Sequence, residues 1–426
     1  MEFPNSKPSK KEPSLLVLIF VTILIGIVSG IAGMFLVLLL HYVQHLAYGY
    51  NLSLTHPESF LEGVSASTGQ RRMMVLSLCG LIAGFGWWAI HCFAKPLLSI
   101  EKAIHLKKPK MPLLATILNA LLQMITVALG SPLGREVAPR ELGAAFACWL
   151  AEKTGLDSKN SQIMVACGAG AGLAAVYNVP LGGTVFILEV LLFTLNWSAL
   201  LPALCTCAIA TTISWIGLGN APQYHLSSFS LDHSIVLWSI LTGPLFGIAA
   251  YYFREITLSA RSEAPKNWRL CLLCFVNFVF IGFISIHFPA LLGNGKGPIQ
   301  LGFSNNLGFD LAFQLLALRV LIVWTSLRAG AVGGLMTPSI ANGVLLAITL
   351  GSLWSFFWPG IPIGAFSVIG AAAFLAAAQK MPLTAIVLTA EFTSLNFSFL
   401  VPILFAVMGA ISIVSFCEKK PMLTLH

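Results

Sequence analysis

The chain has 426 residues, is 57% hydrophobic and carries only 16 acidic side chains, with a mean hydropathy of +0.86. No soluble fold of ordinary surface-to-volume ratio can cover so much apolar surface with so few polar groups, which excludes a water-soluble globular protein. The formal charge of +8 then reads as membrane topology rather than as a nucleic-acid-binding surface.

The first thirteen residues form a basic segment with Lys7, Lys10 and Lys11, which the positive-inside rule assigns to the cytoplasm. Next comes "LLVLIFVTILIGIVSGIAGMFLVLLL" (15–40), longer than a signal-peptide core and followed by "HYVQH" instead of a small-residue cleavage site, so it is expected to stay as a spanning helix. "MMVLSLCGLIAGFGWWAI" (73–90) is also long enough to cross roughly 30 Å of hydrocarbon. Apolar segments recur to residue 416, so the chain is expected to be an all-helical multi-pass protein of the cytoplasmic membrane, with the bilayer as its first partner. The basic stretches "KKPKMP" (107–112) and "CEKKPM" (417–422) are expected on the same side as the N-terminus. Nine cysteines are scattered in apolar context, and His41 and His45, at i and i+4 on a helix, have no nearby third ligand. No metal site and no cofactor are expected.

Several apolar segments span only about 12–16 residues, too short to cross an untilted bilayer. Half-length helices leave unpaired backbone groups at membrane depth, which is tolerable only inside protein or beside a water-lined cavity. Two of these regions match without gaps. "GAGAGLAAVYNVPLGGTVFILEV" (168–190) and "GAAAFLAAAQKMPLTAIVLTAEF" (370–392) share Gly168/Gly370, Leu173/Leu375, Ala174/Ala376, Ala175/Ala377, Pro180/Pro382, Leu181/Leu383 and Glu189/Glu391. Upstream, "GREVAP" (134–139) corresponds to "GGLMTP" (333–338). Two related halves with broken helices meeting near the midplane are expected, about 73–219 and 234–416. A helix N-terminus carries free N–H groups and about half a positive charge, so converging N-termini favour an anion as substrate.

Charge is concentrated in "GSPLGREVAPRELG" (130–143). A carboxylate at a helix N-terminus within an anion path competes with the permeant ion when ionised and can leave when protonated, which marks Glu136 as a plug and a proton carrier. Arg135 and Arg140 would raise the local anion concentration at a pore mouth, while Arg140 and Glu141 equally fit an ordinary ion pair, the reading favoured for those two. Glu189 and Glu391 end matching helices, where a structural role and a proton relay both remain open.

"GREVAP", "GAGAGLAAVYNVPLGGTVFILE" and "GAVGGLMTPSIANG" (330–343), in this order, resemble the GREGP, GLAAAFNAPLAG and GxFxP segments of the CLC family of chloride channels and proton-coupled anion antiporters. That resemblance implies a transmembrane domain over 14–423, built as an inverted repeat and assembled as a homodimer with one anion pathway per subunit, with no C-terminal regulatory domain. It implies that Glu136 is the gate and that backbone N–H groups at Leu335, Met336 and Val137 face the anion.

Departures from the family pattern bear on the ion. The family's GSGIP serine aligns with Lys95 in "AKPLLSIEKA" (94–103), where a lysine would either bind the anion, pairing with Glu101 or the gate, or snorkel to the interface. The family's KPLY tyrosine is replaced by Leu423, and the second glutamate that serves chloride antiporters as internal proton acceptor is replaced by Val190. Thr337 before the third motif's proline, with the missing serine and glutamate, resembles the bacterial fluoride/proton antiporter branch. The expected function is chloride transport by a channel or proton-coupled antiporter gated by Glu136, with fluoride/proton exchange as the alternative and a non-transporting homologue as the second. An enzyme is not expected, since the sequence has neither a Ser/His or paired-Asp constellation nor an HExxH motif.

Overall fold

The computed structural model describes residues 15–49, 59–106, 109–227 and 232–419, and within them the fold is helical with a single isolated backbone bridge and no strand. The basic segment 1–13, Lys107, Lys108 and Leu423 lie outside the described residues.

The first run comprises α1 (Leu15–Tyr48), α2 (Phe60–Ala66), α3 (Gly69–Phe93), α4 (Ile100–His105), α5 (Leu113–Ala128), α6 (Val137–Thr154), α7 (Ser158–Tyr177), α8 (Pro180–Phe186) and α9 (Trp197–Leu218). The second comprises α10 (Ser234–Ser262), α11 (Arg269–Ser285), α12 (Lys296–Phe303), α13 (Phe309–Arg328), α14 (Met336–Ser355), α15 (Ile363–Gln379), α16 (Pro382–Thr393) and α17 (Leu400–Lys419). Among the described residues, seven helices are long and apolar enough to cross a membrane, while α5, α11, α15 and α16 are shorter apolar helices.

Neighbour relations repeat between the runs. α1 packs on α7 and α9 as α10 packs on α15 and α17, and α6 lies along α7 as α14 lies along α15. The two runs meet through α3 against α11 and α8 against α16. Small residues make the closest of these approaches possible. A methyl group on Gly143 would collide with the Gly168 carbonyl, and one on Gly343 with the Gly370 carbonyl.

The local backbone repeats too. Asn178 and Lys380 end α7 and α15 in the left-handed conformation, at φ 57° and 53°. Val179 (φ −133°, ψ 70°) and Met381 (φ −135°, ψ 67°) follow, each before the proline that opens the next helix. A proline drives its predecessor into an extended conformation and suits the first helical position, so the same break forms twice.

Gly134 and Gly334 make reciprocal backbone hydrogen bonds, N–H to O at 2.7 and 2.8 Å, as an antiparallel bridge. The two corresponding segments are thus joined to each other in antiparallel fashion, as a two-fold relation between the halves leads one to expect. The fold is an inverted repeat whose interrupted loops meet in the interior.

Candidate functional site

Glu136 stands at this junction, 1% exposed, immediately before α6. Its carboxylate does not cap its own helix. It crosses to the N-terminus of α14, where Oε1 accepts a hydrogen bond from the Met336 N–H at 2.6 Å. Oε2 accepts from the Tyr177 and Thr337 hydroxyls, both at 3.4 Å, and those hydroxyls lie 3.1 Å from each other. No Lys or Arg lies within ion-pair distance of Glu136 among the described residues. The carboxylate is thus held by donors alone, at a helix N-terminus of the opposite half. Gly134 and Gly334 leave the room it needs, since a methyl group at either would strike it.

A cavity of about 550 Å³ reaches Glu136 from the face that carries Lys266 and the α3–α4 connection. Its lining carries the basic side chains of Arg140, Arg261 and Lys266 together with the carboxylates of Glu101, Glu136 and Glu141, so opposite charges are equal in number there. Arg140 lies 4.3 Å from the centroid of the Phe186 ring, and Arg261 donates to the Gly333 carbonyl at 2.7 Å.

Of the residues singled out in the sequence, Glu136, Met336 and Thr337 come together directly, and Val137, Leu335 and Val190 line the same cavity. Lys95 does not join them. It is exposed and lines a separate, largely apolar pocket with Phe93, Pro112 and Leu114. α3 ends at Phe93 and α4 opens only at Ile100, so the residue at the head of α4 is Ser99, its N-cap, which accepts from the Lys102 N–H at 3.4 Å and lines the cavity. Ser99, not Lys95, is thus the residue of this segment that borders the cavity of Glu136.

Arg135 is likewise not at an open mouth. It is 6% exposed, donates to the Gln223 side chain at 3.2 Å and lies 5.0 Å over the Tyr177 ring. Arg140 and Glu141 do not form an ion pair: Glu141 Oε2 accepts from Asn119 at 2.9 Å and from Gln123 at 3.4 Å instead. Glu189 accepts from the backbone N–H groups of Leu383 and Thr384, and Glu391 from those of Leu181 and Gly182. Each half's glutamate thus caps a short helix of the other half.

Two residues were missed. Tyr177 supplies a hydroxyl to Glu136, and its signal was the tyrosine in "GLAAVYNVPLGG" where the family pattern has phenylalanine. Ser99, which borders the cavity, was not singled out, although a serine just before a short helical stretch is itself an N-cap signal.

The family model for the voltage gated chloride channel matches residues 75–415. The chain is 29% identical over 289 residues to the voltage-gated ClC-type chloride channel ClcB of Citrobacter koseri, covering 66% of this chain and 68% of that one. It is 24% identical over 425 residues to the H(+)/Cl(-) exchange transporter ClcA of Vibrio vulnificus, covering 95% and 88%. Its fold is similar to a slow cyanobacterial Cl-/H+ antiporter, with a TM-score of 0.81 at 20% identity over 95% of both chains. It is also similar to a CLC-type fluoride/proton antiporter, with a TM-score of 0.70 at 20% identity over 94% of this chain and 95% of that one. By sequence model and by fold, the chain belongs to the voltage gated chloride channel family.

Proposed function

We propose that this chain exchanges chloride for protons across the membrane, with Glu136 as both gate and proton carrier. The observation that carries this is the seat of the Glu136 carboxylate: a backbone N–H and two hydroxyls converge on it, with no cation in contact. A set of donors without an acceptor is an anion site, and the side chain fills it with its own anion. Hydrogen bonds to a charged acceptor contribute about 1.5–3 kcal/mol each, roughly twice a neutral bond, so protonation weakens the carboxylate's hold. A chloride entering from the cavity then takes the seat, and the proton leaves with the displaced side chain. One seat that holds either the ionised carboxylate or the anion couples the two fluxes.

Ser99, rather than Lys95, supports the role that the family resemblance gives to a serine hydroxyl on the cavity side. Its hydroxyl hydrogen is not used in accepting from Lys102, so it is free to meet an anion in the cavity. The lysines of the N-terminal segment and of the α3–α5 connection support a cytoplasmic N-terminus and a cavity open to the cytoplasm. Exposed Leu181 and Leu383 on α8 and α16 support a homodimer, since short helices at membrane depth need cover.

Fluoride is the second reading, favoured by the Thr337 hydroxyl beside the carboxylate. Purified protein in liposomes loaded with chloride or with fluoride decides between them. Chloride efflux faster than fluoride efflux is expected; efflux of fluoride alone would make fluoride the substrate, and efflux of neither would remove transport as the function.

A further inference from the structure

We propose that Glu141 hands protons between the cavity and Glu136, in place of the glutamate missing at Val190. This rests on proton-coupled exchange as proposed above. Val190 and Glu141 line the same cavity from different helices, so the carboxylate absent from one wall is present on another. Glu141 lies on α6, the helix that Glu136 precedes, five positions further along and therefore about 7.5 Å along the axis.

Its hydrogen bonding is lopsided. Oε2 takes both side-chain amides, from Asn119 and Gln123 on α5, and the Asn119 oxygen is in turn fixed by the Trp87 indole N–H at 3.2 Å. Oε1 has no protein partner among the described hydrogen bonds. A buried carboxylate needs at least one hydrogen-bond partner, and the two amides on Oε2 meet that need without engaging Oε1. This one is held by one edge, with its other oxygen on a residue that borders the cavity.

The titratable and charged groups that share its cavity are Arg140 on α6, Glu136 just before that helix, Glu101 on α4, His91 on α3, and Arg261 and Lys266 from α10 and the turn after it. α5 contributes only neutral amides. A proton from cavity water adds to Oε1 of Glu141 and passes to the Glu136 carboxylate. The separation is too long for direct transfer, so water within the cavity bridges it. Glu136 becomes neutral, Glu141 returns to its anionic form, and the anion path is unblocked.

The test is simultaneous chloride efflux and proton uptake in liposomes for wild type, Glu141→Gln and Glu141→Asp. Glu141→Gln is expected to lose proton uptake while chloride efflux persists, and Glu141→Asp to keep both at the wild-type ratio. Unchanged proton uptake per chloride in Glu141→Gln would overturn the role of Glu141 alone. Loss of both fluxes together in both variants would overturn it in favour of a structural role. Absence of proton uptake in the wild type would remove exchange itself and this assignment with it.

Discussion

Glu136 and the pair Glu189/Glu391 perform the same local chemistry and differ in how firmly they are held. All three place a carboxylate on a helix N-terminus that belongs to the opposite half of the chain. Glu189 is bound at 2.9 and 2.7 Å by two backbone N–H groups and at 2.6 Å by the Thr384 hydroxyl. Glu391 is bound at 2.9 and 2.6 Å by two backbone N–H groups. Glu136 has one short bond, to Met336, and two long ones at 3.4 Å to rotatable hydroxyls. A carboxylate fixed by two rigid donors is a staple between the halves; one fixed by a single rigid donor beside a cavity can be exchanged for an ion.

The halves are also unequal at the bridge itself. Gly134 pairs with Gly334, but two residues beyond the bridge the first half presents Glu136 and the second Met336. One half supplies the side chain and the other the backbone N–H that receives it. A duplicated unit has thereby yielded a single carboxylate seat.

This contrast can be broken by substitution. The largest effect is expected from Glu136→Gln, which removes the charge that closes the seat. Proton uptake measured beside chloride efflux should fall by about tenfold or more, as lost charge-assisted bonds at one site imply, while efflux continues. Glu189→Gln and Glu391→Gln should leave the proton-to-chloride ratio alone and lower stability, by about 1 kcal/mol for each lost cap, read as an earlier thermal unfolding in detergent. A coupling change there that matched Glu136→Gln would erase the distinction between staple and gate. Tyr177→Phe removes one hydroxyl, worth about 1 kcal/mol and so roughly fivefold in anion affinity, measurable by chloride titration of Glu136→Gln and the double variant. Lys95→Ser should change nothing in anion selectivity, since Lys95 lies in another pocket.

What was legible in the sequence follows from local physics. The repeat was visible because Asn178–Val179–Pro180 and Lys380–Met381–Pro382 adopt one backbone conformation, and proline leaves its mark in the sequence. Glu136 was visible because charge concentrated in a glycine-led break of an apolar chain needs a reason. Lys95 was misplaced because the unstructured link between α3 and α4 has no periodicity to fix its register. The exchange of caps between Glu189 and Glu391 was left open because it joins residues about two hundred positions apart, which no local pattern encodes. The expected Arg140–Glu141 pair failed because adjacent residues on a helix point in different directions, toward Phe186 in one case and Asn119 in the other.

The central claim is that the Glu136 carboxylate occupies the anion's own seat. Anomalous scattering from crystals grown in bromide tests it directly, in wild type and in Glu136→Gln. A bromide peak within hydrogen-bond reach of the Met336 N–H and the Tyr177 and Thr337 hydroxyls, present in the variant and absent where the carboxylate sits, is the expected result. A variant with those three donors empty and bromide bound elsewhere along the cavity would contradict it.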